Sequence, residues 1–325
     1  MFGQILIGLA QPFVLAAPTR YSDLWFSPRG RVSATAIASL ANPFGGALGQ
    51  LINPFLCPTG SPKSVPPMVL YVAIISSVAT IPTFFLPSKP PTPVSPSSTH
   101  AQLPLLKTLS LLARSPSFYL VLLPFSTYVG FFNSISSLLT RILTPYSFSE
   151  SESGIAGALL ILVGLVAAAV ICPLVDRSKA YLPVIKVLIA IVALSYLAFI
   201  WAPPTRNIIA PYIILSILGA ASFGLLPVVL EWLAEVTYPV GPEASSVILW
   251  TGGQLLGGVF IVISDALKVG SEGTPPFHMQ WALVFQAVLA MLIAPSGFAL
   301  GWVGGSVKNQ RLDVDKGRVE VERGE

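Results

Sequence analysis

From Pro87 to Thr99 the chain reads Pro-Ser-Lys-Pro-Pro-Thr-Pro-Val-Ser-Pro-Ser-Ser-Thr, and this stretch divides everything around it. It carries too little apolar surface to fold by itself and reads as a disordered or polyproline linker. On either side the chain changes character. Three apolar spans precede the linker, at 1–18, 33–56 and 67–86. Six follow, at 117–140, 154–175, 182–202, 208–232, 246–266 and 281–304. Each is close to the roughly 20 residues that a helix needs to cross a bilayer. Charged residues make up 10% of the chain, against about 25% in a soluble domain. Mean hydropathy is +0.77. The fold class is an all-α polytopic membrane protein.

The turns between spans set the orientation. One set of alternate turns, with the C-terminal tail, carries Arg20, Arg29, Arg31, Lys89, Lys107, Arg114, Arg177, Lys179, Lys186, Lys308, Arg311, Lys316, Arg318 and Arg323. The other set carries only Lys63, Arg141, Arg206 and Lys268. The positive-inside rule places the first set, the linker and the C-terminus in the cytoplasm. The net charge of +4 follows from this topology and calls for no nucleic-acid partner. The first span has no basic leader and no small-residue cleavage site, so it reads as a true helix rather than a signal peptide. A chain that enters an apolar run at Met1, with an odd number of spans, is expected to be part of a longer one. Cys57 and Cys172 fall on opposite faces, and neither a disulfide nor a metal site is expected. His100 and His278 are isolated loop residues. No cofactor is expected, and the expected state is a monomer in the plasma membrane.

The part of the linker from Leu103 to Ala113 is Leu-rich but too short to span, and is expected to lie along the membrane surface. Three spans, a linker and six spans look like a six-linker-six plan without its first three helices. That count suggests the major facilitator superfamily, whose halves are each two three-helix repeats. The expected divisions are a remainder of the N-terminal bundle (1–86), a cytoplasmic linker (87–116), a C-terminal six-helix bundle (117–304) and a cytoplasmic tail (305–325).

Two local motifs concern the cytoplasmic helix ends. The turn after the fifth span reads Cys172-Pro-Leu-Val-Asp-Arg-Ser-Lys-Ala-Tyr. Asp176 and Arg177 in such a turn can pair with neighbouring charges or helix ends and latch two helices together. The plainer reading is a positive-inside anchor. The seventh span ends in Pro227-Val-Val-Leu-Glu231-Trp-Leu-Ala-Glu235-Val-Thr-Tyr-Pro239. Glu231 and Glu235 share a helix face, where like charges repel, so at least one calls for a basic partner, with Arg177 and Lys179 as candidates. A hydrated helix end is the alternative.

These motifs, with the Gly-x-Gln segment around Gln254 and with Ala10-Gln-Pro-Phe-Val-Leu, Leu24-Trp-Phe and Ala41-Asn-Pro-Phe-Gly-Gly, resemble solute carrier family 49. That is the feline leukaemia virus subgroup C receptor-related branch of the major facilitator superfamily. The resemblance runs from family helix 4 to helix 12, and implies a partial facilitator fold of about nine of twelve transmembrane helices.

Polar residues at mid-span depth are costly unless they face a cavity or a neighbouring helix. They are Gln4, Gln11, Asn42, Gln50, Asn133 and Gln254. Helix-packing contacts account for any one of them as well as a ligand does. Asn42 precedes Pro43, where a kink is expected to free backbone carbonyls. Gln254 sits between Gly252-Gly253 and Gly257-Gly258, small residues that admit either a neighbouring helix or a ligand. The resemblance implies that Gln254 matches a glutamine lining the family's substrate cavity. The candidate substrate residues are therefore Gln254, Asn133, Asn42 and Gln11, with Asp176, Arg177, Glu231 and Glu235 as the candidate conformational latch.

Departures from the family pattern bear on the substrate. Choline-transporting members hold the quaternary ammonium in an aromatic cage. One wall, a Trp in family helix 1, has no counterpart here, and Asn133 stands at the position of a Tyr. Pro43 stands where a further Gln is expected. Tyr128, Phe131 and Phe132 are expected to face helix neighbours or lipid. These departures count against a choline-like substrate, and a lack of membrane-embedded His counts equally against haem. Glu231, Glu235 and Asp265 lie near span ends rather than at the midplane, which points to uncoupled or weakly coupled movement. No nucleophile–base pair or phosphate loop is legible, so the chain is not read as an enzyme. The expected function is transport of a small organic solute by alternating access; the alternative is a truncated, non-transporting membrane protein.

Overall fold

The computed structural model describes residues 2–56, 64–95 and 103–302, and in the tail Arg311, Val314, Asp315 and Gly317. The expectations on Cys57, Lys63, His100, Lys308, Lys316, Arg318 and Arg323, and on the side chains of Gln4 and Gln50, lie outside the described residues. The helices are α1 (Phe2–Trp25), α2 (Arg31–Leu56), α3 (Val65–Thr80, prolonged by a 3₁₀ stretch Ile81–Phe85), α4 (Leu105–Ala113), α5 (Pro116–Leu143), α6 (Glu150–Ser178), α7 (Tyr181–Phe199), α8 (Ile209–Val236), α9 (Pro242–Ala266) and α10 (Gln280–Phe298). Apart from the short α4, each overlaps one of the expected spans, although the ends differ. Seven of them, α3 with its extension and α5 to α10, are long and apolar enough to cross a membrane. With 24 and 26 residues, α1 and α2 have the length as well.

Helix starts follow local chemistry. Ser115 accepts a hydrogen bond from the Phe118 amide and Pro116 fills the first turn of α5. At α6, Ser149 and Glu152 form a reciprocal capping box, with Ser149 N to Glu152 Oε2 at 2.7 Å. The expected first span stops at Pro18, yet α1 continues to Trp25. The added turns hold Thr19, Ser22 and Asp23, all buried, so the polar run that looked like a loop is a packed helix end. α2 likewise continues through Pro43. Having no N–H, Pro43 cannot satisfy the Ser39 carbonyl one turn back.

Call the end of the bundle that carries the α1–α2, α6–α7 and α8–α9 turns the linker end. Within the rear unit α6 packs chiefly on α8, α5 on α9, and α7 on α8 and α10. The front helices join it through α2 on α6 and α8, and α1 on α9. Residues 2–10 of α1 are exposed where described, whereas Leu15, Ala16, Thr19, Ser22 and Asp23 are buried. Contact between front and rear helices is therefore concentrated towards the linker end. Contacts of this kind rest on close packing and interhelical hydrogen bonds, because apolar side chains gain little by leaving lipid for one another. α3 buries none of its residues. α4 seats Thr108 and Leu112 and leaves Leu106 exposed.

Candidate functional site

A cavity of about 110 Å³ lies where the front helices meet the rear unit. Gln11 and Leu15 of α1 and Ser39, Asn42 and Pro43 of α2 line one side; α5, α7, α8 and α9 supply the other. All four polar residues singled out from the sequence, Gln11, Asn42, Asn133 and Gln254, are in its wall. Asn133 Nδ2 donates to Gln254 Oε1 at 3.2 Å, which ties α5 to α9 and fixes both amides. The approach depends on Gly257: a Cβ there would lie 2.9 Å from Asn133 Nδ2. The glycines of α9 thus admit a neighbouring helix at this point.

The aromatic walls were only partly legible. Phe131 packs against helix neighbours as expected, with its ring 4.7 Å from that of Phe260 and 5.2 Å from that of Tyr196. Tyr128 and Phe132 also meet helix neighbours, Tyr128 stacking on Tyr196 at 6.5 Å and Phe132 meeting Phe223 edge-on at 5.2 Å, but they line the cavity as well, which was not foreseen. They lie one turn apart on one face of α5, whereas Phe131 is rotated away from it. Tyr128 is held in place by a hydrogen bond from its hydroxyl to the Ala290 carbonyl at 3.1 Å. Trp250 was missed altogether. It lines the cavity one turn before Gln254 and meets Phe125 edge-on at 5.4 Å. The four-residue spacing to Gln254 was the signal that could have found it. Trp250 Nε1 and Ser39 Oγ have no hydrogen-bond partner among the described residues. A buried donor left unmet costs about 1–3 kcal/mol, so a bound acceptor is favoured at such a wall. Among the described residues the lining contains no carboxylate, histidine, lysine or arginine. Aromatic faces suit a cation or an apolar group, and the amides suit hydroxyl or amine hydrogen bonds.

Beneath the cavity, the linker end is closed by charge. Asp176 of α6 accepts from Val32 N at 3.1 Å, Ser33 N at 2.8 Å and Ser33 Oγ at 2.5 Å. A rear-unit carboxylate thus caps the N-terminus of front helix α2, where the open N–H groups and helix dipole favour an anion. Lys179, held at φ 53°, donates through Nζ to the Pro28 carbonyl and lies 3.4 Å from Asp176 Oδ1. Arg177 is exposed and takes part in no ion pair among the described residues. Successive helical residues point about 100° apart, so turning Asp176 towards α2 turns Arg177 away.

Glu231 and Glu235 are both buried on one face of α8, as their spacing implied. The partner of Glu231 is neither Arg177 nor Lys179. It is Arg311 in the tail, whose Nη1 stands 3.1 Å from Glu231 Oε1. The other terminal nitrogen of Arg311 reaches Asp23 of α1. Burial acts to lower the Arg311 pKa; Glu231, Asp23 and Glu235 outweigh it and raise it, which holds the guanidinium charged. Arg31, 1% exposed, pairs with Asp315 at 2.9 Å and with Asp23 at 3.6 Å.

Residues 1–262 match the family model described as Major Facilitator Superfamily. Solute carrier family 49 member A3 of Danio rerio is 31% identical over 272 residues, covering 82% of this chain and 57% of that protein. Its counterpart in Xenopus tropicalis is 30% identical over 304 residues, covering 90% and 61%. Choline/ethanolamine transporter FLVCR1 of Mus terricolor is 30% identical over 324 residues, covering 90% and 57%. The chain therefore spans a little over half the length of these curated relatives. Among solved structures, the transporter FucP in the outward conformation aligns with a TM-score of 0.60 at 18% identity, covering 87% of this chain and 71% of that one. This last likeness concerns the fold alone. Family match and helix pattern agree: the chain is a multi-pass membrane protein that belongs to the Major Facilitator Superfamily, and within it is similar to members of solute carrier family 49.

Proposed function

We propose that this chain carries the solute site of a transporter that moves a small organic solute by alternating access, with the front and rear helices rocking about the cavity. The observation that carries the reading is the cavity wall: Gln11 and Asn42 from the front helices, Asn133 and Gln254 from the rear, converging on one space between them. In this reading the linker end is cytoplasmic, the membrane is the plasma membrane and the working unit is a monomer. The relatives named as choline/ethanolamine transporters make small amines the first class to test. The walls support that choice, since Tyr128, Phe132 and Trp250 offer aromatic faces to an ammonium group and the amides offer partners to a hydroxyl. Among the described residues this wall holds no carboxylate or histidine, which supports solute movement uncoupled from protons at the site.

Gln254→Ala is the direct test. It leaves Asn133 without its acceptor and removes one polar contact to solute. A loss of about 1–3 kcal/mol raises KM for uptake into proteoliposomes about five- to hundredfold, with surface expression unchanged. Unaltered kinetics across a panel of amines including choline and ethanolamine would remove Gln254 from the site. Collapsing a pH gradient with an ionophore leaves the initial uptake rate as it was. A rate that falls with the gradient would rule out uncoupled movement.

A further inference from the structure

We propose that the acidic socket at the linker ends of α1 and α8 is a docking site for the chain's own C-terminal tail, and that the seated tail keeps this end shut. The tail leaves α10 at Phe298 and by Arg311 has reached the junction between front and rear helices. One side chain spans that junction, with Arg311 Nη1 on Glu231 of α8 and Nη2 on Asp23 of α1. Four residues further on, Asp315 takes Arg31 Nη1 of α2 at 2.9 Å. The second nitrogen of Arg31 donates to Ser95 of the linker at 2.6 Å. Tail and linker therefore meet on the same guanidinium. Arg311, Asp315, Arg31, Asp23 and Glu231 are all 5% exposed or less, so these are enclosed contacts rather than a surface ion-pair mesh.

The socket explains why it has an occupant. Asp23, Glu231 and Glu235 bring three carboxylates to one buried place, and repulsion among them falls when a fixed cation enters. Arg suits the role because its planar fork addresses two carboxylates at once. Opening this end requires α1 and α2 to part from α6 and α8, which Arg311 prevents while it holds both Asp23 and Glu231. The tail is thus a removable bolt, distinct from the Asp176 cap, which is built from the transmembrane helices themselves. The closure it governs is the one in the carrier reading, but docking itself is independent of any solute.

Cys172 supplies a reporter already present in the chain. It is buried and lies one turn before Asp176 on the α6 face that meets α2. With Cys57 replaced by serine, a bulky maleimide is applied to the chain in nanodiscs without solute. Removing residues 303–325 raises the labelling rate of Cys172 at least tenfold; Arg311→Ala does the same, and Arg311→Lys less. Adding a synthetic peptide of residues 303–325 to the shortened chain restores protection, and the same peptide carrying Ala in place of Arg311 does not. Equal labelling with and without the tail overturns the proposal. So does faster labelling that the peptide fails to reverse, since that marks general loosening rather than loss of a docked segment. Uptake assays are not involved, so a failed solute assignment leaves this result readable.

Discussion

Gly219→Ala strips the membrane of most folded protein, the largest effect expected of a Gly→Ala change among the described residues. α6 and α8 form the most extensive helix pair, and at their crossing Gly219 faces the backbone of Leu160. A Cβ at Gly219 would overlap the Leu160 carbonyl oxygen and stand 2.7 Å from its carbon. Gly164 faces the same crossing, where a Cβ would stand 2.7 Å from the Gly219 oxygen and overlap the Phe223 ring at Cδ2. A flexible side chain could move aside; a helix backbone cannot without carrying its neighbours. Overpacking typically costs about 1–3 kcal/mol and occasionally more, and a backbone-to-backbone clash belongs at the upper end. Against a total margin of about 5–15 kcal/mol this is a severe loss. The yield of monodisperse protein in detergent falls about tenfold. Gly154→Ala and Gly258→Ala are the controls, because a Cβ at either meets nothing within 4 Å. Equal elution profiles for Gly219→Ala and these controls would show that the crossing tolerates separation.

Asp176→Ala opens the linker end. It removes the acceptor of three hydrogen bonds and leaves the Val32 and Ser33 amides, at the start of α2, without their partner. It also strips Lys179 of its carboxylate. Breaking a buried charged contact costs about 3–5 kcal/mol, and here the cost falls only on the state in which α2 and α6 touch. The population with that end open therefore rises about a hundredfold or more. Two readouts follow: Cys172 labels faster, and the maximal transport rate falls because the return step is slowed. Asp176→Asn retains the volume but sets an N–H₂ against an N–H or hydroxyl donor, and behaves more like alanine than like the parent. Arg177→Ala, next along the helix, changes stability by no more than about 0.5 kcal/mol, as befits an exposed residue outside any described ion pair. If Arg177→Ala matches Asp176→Ala, the latch runs through the arginine and not through the Asp176 cap on α2.

The contrast between these neighbours shows where sequence reading reaches its limit. Asp176 and Arg177 were equally attractive as latch residues, and only the rotation of α6 about its axis separates them. The same holds for the aromatic run of α5, where Tyr128 and Phe132 reach the cavity as well as their helix neighbours while Phe131 is given wholly to packing. Glu231 and Glu235 announced by their spacing that a cation was needed. Its identity was out of reach, because Arg311 lies 80 residues from Glu231 and carries no local mark that separates it from the other tail cations.

The polar cavity residues were easier. Gln11, Asn42, Asn133 and Gln254 stand out because a polar side chain in a bilayer-spanning helix is costly without a purpose. That cost acts locally, helix by helix, and leaves its trace in composition. Span length and the membrane class were legible for the same reason: the bilayer imposes a thickness and an apolarity that each segment meets by itself. Partner choice is a different matter. Which cation enters the acidic socket, which aromatic faces line the cavity and which helices approach to glycine distance all depend on how separate helices are turned and stacked. Only the tertiary structure decides them, because that packing is settled between segments and not within any one of them.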